Sequence, residues 1–484
     1  MSARNLFFGF DGSNPVLVDQ MITEGELPTF KKIRDAASVH AIENDPGMGA
    51  GQFWSSASIG ADPSYHGRYF YLQFNPSTYD IVPNHETELP GVAPFWHTLD
   101  DAGYKVAIVD WHRMYAKPLK NGILVDNWLG HDPLTDTQWF PPTLSEKGKK
   151  YFTGDTIGGG FAARARHSEK DFRDYLTQTF KRIEAKTDFC VDQIASNHWD
   201  LFVACYSDTH DIGHYFYFLE DENHELYDAA LAERLHNPLR QTYREQDRAI
   251  ARIIEQAGPD ANIFVFGGPG METLISANNA LEEMLRRIDL GVEAPASTAE
   301  VAKNTYRNIL PQAIRRRIAP FARKVRQRVA NSEYQRRKFF SVPHNDNAGA
   351  IRINVKGREK YGIVTKGQEY DALVKEITAA LATFRNPETG RAIVKKVVSI
   401  DREFDGPYRD LLPDLFVEWD RTDTARDFRK IVSDEYGEIP LKSVLRNGDH
   451  NAHGFFWMPS TAPDDTYTRP GDISAPVLDA VRTR

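Results

Sequence analysis

The chain has 484 residues, 41% of them hydrophobic and 26% charged, which is the composition of an ordinary globular protein with a substantial core. A net charge of -9 gives no reason to expect nucleic acid as the main partner, and two cysteines exclude a disulfide framework. No apolar run is long enough to span a bilayer and no signal peptide pattern precedes Leu6, so we expect a cytoplasmic protein.

The first predicted strand runs from Leu6 to Phe10 and ends at Asp11 and Gly12. Sheets of α/β proteins bind their ligands beyond the carboxyl ends of the strands, so Asp11 is a candidate site residue. The alternative is that Asp11 caps the segment that begins near Pro15.

A glycine-rich segment follows the helix predicted from Pro28 to Ala36. It runs from Asp45 to Gly51 and then turns helical. Backbone N–H groups at such a junction can hold an anion, although glycine-rich loops are common and this signal alone is weak.

The middle of the chain alternates helices and strands, as expected for a parallel sheet. The predicted elements are a helix at Phe95–Ala102, a strand at Lys105–Asp110, a helix at Asp171–Ser196, a strand at Leu201–Tyr206, a helix at Leu239–Ala257, a strand at Ile263–Phe266 and a helix at Leu281–Ile288. Residues 111–167 lack a clear period and predict irregular loops that face the surface or the substrate.

The segment after the strand Leu201–Tyr206 carries two carboxylates and two imidazoles within seven positions. If it is helical, His210 and His214 lie at positions i and i+4 on one face. Two such histidines can share a zinc-class metal when a third ligand comes from elsewhere. The alternative is a pair of hydrogen-bonded histidines at a strand end.

The stretch from Lys303 to Lys338 is strongly basic, with Glu333 as its only acid. Apolar residues recur in it near helical spacing, which predicts a basic amphipathic hairpin inserted into the fold. It is suited to an acidic partner, an anionic membrane surface or a lid. The alternative is a solvated face that packs on the acidic remainder of the chain.

The C-terminal part returns to strands, with a glycine-flanked polar loop near its end. Strands are predicted at Ala350–Val355, Ala392–Ile400 and Asp414–Trp419, and a helix at Tyr370–Phe384. The loop contains His450, the candidate third imidazole. The whole pattern predicts an α/β fold with a doubly wound, mostly parallel sheet and helices on both faces. We expect residues 1–302 to form the first part of this core, 303–340 the basic helical insertion or cap, and 341–484 the C-terminal part of the core.

In their order and spacing, these pieces resemble the alkaline phosphatase superfamily, specifically its type I phosphodiesterase/nucleotide pyrophosphatase-like phosphohydrolases. The resemblance spans most of the chain. It rests on Phe8-Gly9-Phe10-Asp11-Gly12, Trp54 through Gly60, Pro63 to Gly67, the segment with His210 and His214, Gly270-Met271, Ile351 to Asn354 with Gly357-Arg358-Glu359, Pro413-Asp414, and Gly448-Asp449-His450.

The resemblance implies chemistry with two adjacent divalent metals, usually zinc, and a threonine or serine nucleophile. Asp11 matches the first metal-binding aspartate of the family. His214 matches the histidine of its Asp-x-x-x-His pair, and His450 matches its late histidine. His210 stands where the aspartate of that pair is usual, which would give a site of three imidazoles.

Two departures from the family pattern concern the nucleophile and the second metal. Ala50 occupies the nucleophile position and has no nucleophilic atom. The usual Ser-Asp-His-Gly-Met is replaced by residues 267–271, Gly-Gly-Pro-Gly-Met. The second metal position thereby keeps Asp11 alone of its usual ligands.

We therefore expect an enzyme with one divalent metal, first of all Zn²⁺, with Fe or Mn as alternatives, held by His210, His214 and His450. Water would attack a phosphorylated or other anionic small metabolite directly, with Asp11 or Asp208 as general base. Group transfer or a lyase step is equally compatible with these residues. The emptied position would be a substrate-binding pocket, formed by Gly49, Ala50, Gly51 and Gly268.

Two other hypotheses remain open. In the first, the chain is a pseudoenzyme that binds an anionic ligand or partner in the cleft that holds the active site in the family, and the basic segment makes the contact. In the second, the histidines are structural and bind no metal.

Overall fold

The computed structural model describes residues 3–83, 92–112, 116–128, 136–151, 167–274, 276–292, 332–345, 347–421, 429–441, 446–460 and 466–483. Its strands are β1 (Asn5–Phe10), β2 (Ala37–Glu43), β3 (Leu72–Phe74), β4 (Ile81–Pro83), β5 (Val106–Val109), β6 (Ile123–Asp126), β7 (Gln138–Phe140), β8 (Leu201–Tyr206), β9 (Asn262–Gly267), β10 (Met271–Thr273), β11 (Phe339–Val342), β12 (Ala348–Ile353), β13 (Val394–Ser399), β14 (Leu415–Trp419), β15 (Lys430–Ser433), β16 (Gly437–Pro440), β17 (Gly448–His450) and β18 (His453–Pro459).

Its α-helices are α1 (Pro15–Thr23), α2 (Pro28–Asp35), α3 (Phe53–Ile59), α4 (Phe95–Asp101), α5 (Leu144–Tyr151), α6 (Glu169–Ser196), α7 (Asp208–Phe216), α8 (Ala229–Arg234), α9 (Pro238–Ala257), α10 (Leu281–Leu290), α11 (Gln368–Leu381), α12 (Ile400–Glu403) and α13 (Ser474–Arg482). None of the helices in the described ranges combines the length and the apolar character that crossing a bilayer requires.

The chain divides into two compact units. The first comprises Met1–His66, His85–Leu274 and Val444–Arg484, and the second comprises Gly67–Asn84 and Ile275–Ser443. The predicted domain boundaries at residues 302 and 340 follow a different division and stay a prediction. Most of the predicted basic hairpin, up to residue 331, lies outside the described residues.

The first unit is built on an eight-stranded sheet in the order β2-β18-β9-β1-β8-β5-β6-β7. Strands β9, β1, β8, β5 and β6 run parallel to one another, while β18, β2 and β7 join antiparallel. This confirms the predicted α/β fold with a mostly parallel sheet.

The central strands are apolar over most of their length, as expected where helices cover both faces of the sheet. All six residues of β1 are buried, as are all six of β8. Side chains alternate between faces along a strand, so Phe8 and Phe10 pack with α1, α2, α6 and α9. Phe7 points to the other face and packs in the cluster formed with α3, α4 and α13.

Three parts of the region predicted as irregular are regular, namely β6, β7 and α5. Strand β6 is fully buried and pairs in parallel with β5, with Ala107 opposite Ile123. The prediction of loops over 111–167 is therefore wrong here. A four-residue buried strand carries no alternation, so periodicity does not reveal it.

The second unit contains a four-stranded antiparallel sheet in the order β11-β12-β14-β13, with α10 and α11 in its hydrophobic cluster. Several residues that carry the family resemblance meet here. Arg352 Nε donates to Glu359 Oε1 at 2.7 Å, and Arg358 Nη1 donates to Asp414 Oδ1 at 2.7 Å. These buried pairs join β12, the turn after it and the start of β14. The family-like residues Arg352, Arg358, Glu359 and Asp414 therefore have a structural role.

Candidate metal centre

The parallel strands bring their carboxyl ends to one edge of the sheet. Phe10 at the end of β1 lies opposite Tyr206 of β8 and Gly267 of β9. The next residue, Asp11, donates its N–H to the Tyr206 carbonyl at 3.0 Å, and Gly268 donates its N–H to the Phe10 carbonyl at 2.9 Å. The residues that follow β1, β8 and β9 are therefore neighbours.

Helix α7 follows β8 after one residue and carries two histidines on one face. The ring centroids of His210 and His214 are 4.5 Å apart. His450 ends β17 and lies 4.6 Å from His210 and 5.1 Å from His214 by the same measure. All three are buried, and one potential ligand atom from each lies within 4.8 Å of the others. The structure thus brings together the three histidines singled out in the sequence.

Backbone carbonyls fix which nitrogens of two of these rings face the cluster. His214 Nδ1 lies 2.8 Å from the Gly448 carbonyl oxygen, and His450 Nδ1 lies 3.2 Å from that of Pro269. A carbonyl oxygen only accepts, so Nδ1 donates and Nε2 keeps its lone pair. His450 Nε2 is 2.9 Å from His210 Nδ1. Donation of the second ring N–H to a carbonyl is the usual arrangement behind a metal-binding histidine.

The surroundings of His214 disfavour its protonated form. Burial lowers the pKa of this imidazole well below its ordinary value, and the positive charges of Arg446, His210 and His450 lower it further. A metal ligand must be unprotonated, so this environment is compatible with coordination.

The close approach of β17 to α7 depends on a glycine. A Cβ at Gly448 would lie 2.3 Å from the carbonyl oxygen of Gly213 in α7. Any side chain at position 448 would push β17 away from the helix and carry His450 away from the other two histidines.

Asp11 lies against the same cluster with its two oxygens in different roles. Oδ1 accepts a hydrogen bond of 2.8 Å from Trp54 Nε1 in α3. Oδ2 is buried and makes no hydrogen bond of regular geometry within the described part of the chain. It lies 2.7 Å from His210 Nδ1 and 3.2 Å from His112 Nε2.

His112 is a further candidate ligand, which the sequence analysis does not predict. It follows β5 by three residues, at the same edge of the sheet, and forms a second group of potential metal ligands with Asp11 and His210. Its position beyond the carboxyl end of a buried strand is the signal that identified Asp11, and it applied equally here.

Asp208, the other candidate general base, pairs with a buried arginine. Its Oδ1 accepts from Arg182 Nε at 2.8 Å and lies 2.7 Å from Arg182 Nη2, while Nη2 also donates to Asp211 at 2.8 Å. Arg182 and Asp208 are almost fully buried. The guanidinium of Arg182 in α6 thus binds two carboxylates in the first turn of α7, and these lie on either side of His210 in the sequence.

The predicted anion-binding loop is a compact turn. The N–H of Gly51 donates to the Met48 carbonyl at 3.0 Å, so that group is engaged within the loop. The loop leads directly into α3, whose Trp54 contacts Asp11. Gly49, Ala50 and Gly51 therefore precede the helix that supports the site, and Gly268 lies beside the end of β1.

The donor set is chemically suited to a metal. Three imidazoles with one adjacent buried carboxylate are ligands that zinc and other divalent transition metals prefer. Asp11 Oδ2 lies 2.7 Å from Nδ1 of His210, one of these three imidazoles. The residues therefore fit a divalent cation.

The profile of the family described as type I phosphodiesterase / nucleotide pyrophosphatase matches residues 5–421. No curated protein sequence matches the chain. Phosphonoacetate hydrolase from Sinorhizobium meliloti 1021, in complex with phosphonoacetate, superposes with a TM-score of 0.57 at 14% identity, over 99% of this chain and 96% of that one. The same enzyme in complex with phosphonoformate superposes with a TM-score of 0.55 at 14% identity, again over 99% of this chain and 96% of that one. Human ectonucleotide pyrophosphatase/phosphodiesterase 5 superposes with a TM-score of 0.45 at 10% identity, over 99% of this chain and 95% of that one.

Proposed function

The chain belongs to the type I phosphodiesterase/nucleotide pyrophosphatase family of the alkaline phosphatase superfamily, and from this we propose that it is a metal-dependent phosphohydrolase acting on a small phosphorylated or phosphonate metabolite. The observation that carries the proposal is the convergence of three buried imidazoles at the carboxyl edge of the sheet.

His210, His214 and His450 would hold the catalytic metal, with Zn²⁺ expected first and Fe or Mn as alternatives. When bound, a divalent metal supplies Lewis acidity, which polarises a substrate oxygen and lowers the pKa of water. The Gly448 and Pro269 carbonyls orient two of the three rings for this task.

Water attacks phosphorus directly in this proposal, because Ala50 offers no hydroxyl group for a covalent intermediate. Asp11 Oδ2 is the oxygen placed to accept the proton, since it is buried beside the histidines and Oδ1 is occupied by Trp54. Asp208 is held by Arg182, so we assign it the positioning of α7.

The substrate's anionic group would occupy the position that the family fills with its nucleophile and second set of ligands. Gly268 adjoins Asp11 there, and we propose the segment Gly49–Gly51 as the opposite wall. Arg446 is exposed, and its positive charge acts on His214, which favours an anionic substrate near the metal. A cytoplasmic location stays a prediction.

Metal content of the purified protein tests this proposal first. We expect bound divalent metal in the wild type by inductively coupled plasma mass spectrometry, and its loss in His214→Ala. His198→Ala, at a partly exposed histidine outside the cluster, is the matched control and should retain the wild-type metal content. A panel of phosphate esters and phosphonates, assayed for released phosphate with the metal-loaded protein, then identifies the substrate class.

Each result discriminates between the hypotheses. Metal bound without turnover of any ester or phosphonate would favour transfer chemistry or a pseudoenzyme. A wild type that binds no metal, even after reconstitution, would overturn the proposal and favour structural histidines.

A further inference from the structure

We propose that Asp11 and His112 form a second divalent-cation position beside the three-histidine site, so that this chain replaces the missing ligands after β9 with a histidine from the end of β5. The inference rests on the proposed function and revises one role in it, because Asp11 Oδ2 would be a ligand when the second cation is bound and would act as the base only when that cation is absent. The sequence alone leaves Asp11 without a partner at this position.

The geometry of Asp11 and His112 is that of two ligands facing one point. Asp11 Oδ2 lies 3.2 Å from His112 Nε2, and both side chains are buried. Neighbouring ligand atoms around a zinc-class ion are about 2.8–3.6 Å apart, from octahedral to tetrahedral geometry, given metal–ligand distances near 2.0–2.2 Å. The carboxylate oxygen that faces His112 is the one that Trp54 leaves without a hydrogen bond.

The backbone before His112 is held in an uncommon conformation that places this residue. Asp110 has φ +65°, in the left-handed region that non-glycine residues seldom adopt. Its carboxylate accepts from Trp128 N at 2.7 Å and pairs with the buried Lys186. Between them, Trp111 is 1% exposed and donates its Nε1 to the Trp54 carbonyl at 3.2 Å. The turn that presents His112 is therefore fixed on both sides.

The two cation positions need separate ligands. His210 Nδ1 is near both groups, but one nitrogen has one lone pair and binds one metal. With His210 at the three-histidine site, the second cation has a carboxylate oxygen and an imidazole nitrogen from the protein, and takes its remaining ligands from water and substrate oxygens. This mixed donor set suits Zn²⁺, Mn²⁺ or Fe²⁺. With fewer protein ligands, the second cation should bind more weakly than the first.

A competing arrangement makes a different prediction for His112. If His112 only donates a hydrogen bond to Asp11, and Asp11 completes the shell of one metal, the protein binds one cation. Removing His112 then weakens that cation's binding without changing the stoichiometry. The number of cations bound separates the two arrangements.

The test is a calorimetric titration of the metal-free full chain, performed once with Mn²⁺ alone and once with Zn²⁺ alone. Electron paramagnetic resonance of the Mn²⁺ form reports spin coupling between neighbouring ions. We expect two equivalents in the wild type, one in His112→Ala with loss of the coupling, and at least a tenfold weaker second binding step in His112→Gln. His198→Ala is the control, and circular dichroism checks that each variant is folded.

The outcomes also separate this inference from the proposed function. One equivalent in the wild type, unchanged in number in His112→Ala and lost in His214→Ala, would overturn the second position and leave the proposed function standing. Absence of binding in the wild type would overturn both.

Discussion

Trp54 Nε1 donates a hydrogen bond of 2.8 Å to Asp11 Oδ1, and this bond joins the first turn of α3 to the end of β1. Trp54 is 5% exposed and Asp11 is 2% exposed. Because of this bond, the two oxygens of the Asp11 carboxylate have different surroundings. Oδ1 is fixed to the scaffold, and Oδ2 is turned toward His210 and His112.

Replacing Trp54 by phenylalanine should weaken metal binding. The substitution keeps an aromatic ring but removes the donor, so Asp11 Oδ1 is left buried without a partner. We expect metal affinity to fall by roughly tenfold, the lower range for loss of a group that orients a ligand. The free energy of unfolding should fall by about 1–3 kcal/mol.

Trp199→Phe is the matched control for this variant. It removes another buried indole donor, which bonds to the Gln193 carbonyl at 3.0 Å, at a position that precedes β8 and so lies at the opposite edge of the sheet from the histidines. It should cost similar stability with a smaller effect on metal affinity. Equal effects of the two variants in a metal titration would contradict a specific role for the Trp54–Asp11 bond.

The central strands could be predicted from sequence because their apolar runs are continuous. The strand Leu201–Tyr206 was predicted with the bounds that it has in the structure, and the first strand differs by one residue. Three histidines from two distant segments were grouped through i, i+4 spacing and the family resemblance. His112 is not singled out because it lies in residues 111–167, which lack a clear period and predict irregular loops.

Arg182→Met should destabilise the protein strongly. The guanidinium is 3% exposed and pairs with both Asp208 and Asp211, so its removal leaves two carboxylates in the first turn of α7 without their cation. Breaking a buried ion pair by removing one partner costs about 3–5 kcal/mol.

The same change at an exposed position of α6 provides the control. Arg173 pairs with Glu169 at the surface, and Arg173→Met should change the free energy of unfolding by less than about 1 kcal/mol. Urea denaturation of both variants measures the difference. A cost below about 1 kcal/mol for Arg182→Met would show that the pairing does not stabilise α7.

The pairing of Asp208 illustrates a limit of sequence reasoning. Asp208 and Arg182 are 26 positions apart and both belong to residue types that are common on solvated helix faces. Nothing in the spacing tells a buried pair from two surface charges. The antiparallel sheet of the second unit shows the same limit, because its strands were predicted singly and their pairing depends on contacts distant in sequence.

Direct attack of water on phosphorus predicts inversion of configuration. A single displacement inverts the phosphorus centre, whereas a covalent intermediate requires two displacements and restores it. Hydrolysis of a chiral phosphorothioate ester in isotopically labelled water, with the metal-loaded enzyme, measures the outcome. Retention would contradict the mechanism inferred from Ala50 and would require a nucleophile on another residue.

Asp45→Asn should stabilise the protein above neutral pH. Burial raises the pKa of Asp45 to about 6 from 3.8, although Gln52 Nε2 donates to its Oδ2 at 2.9 Å. The folded state therefore holds the proton more tightly than the unfolded state. The resulting stability is present below pH 3.8 and is lost as the pH rises through 6.

The asparagine variant cannot ionise, and it keeps an oxygen that accepts from Gln52. At pH 8 we expect it to exceed the wild type by about 1–2 kcal/mol in free energy of unfolding, with little difference near pH 4. Asp35→Asn, at an exposed carboxylate, is the control. Thermal denaturation at both pH values measures the effect, and a gain that is equal at pH 4 and pH 8 would refute the assignment to ionisation.

Gly12→Ala tests whether contact between the β1 turn and α7 maintains the site. Gly12 has φ +70°, and a Cβ there would lie 2.6 Å from His210 Cα and 2.7 Å from His210 N. Gly25 has φ +81°, but a Cβ there would meet no atom within 4 Å. Both substitutions impose a left-handed conformation on alanine, at a cost of about 1–2 kcal/mol. Only Gly12→Ala should also separate Asp11 from His210, so metal affinity should fall at least tenfold in this variant and stay unchanged in Gly25→Ala.

Parallel metal titrations and urea denaturation distinguish the two effects. Backbone strain alone would lower the free energy of unfolding equally in both variants and leave metal affinity unchanged, and that result would contradict a role of this contact in maintaining the site.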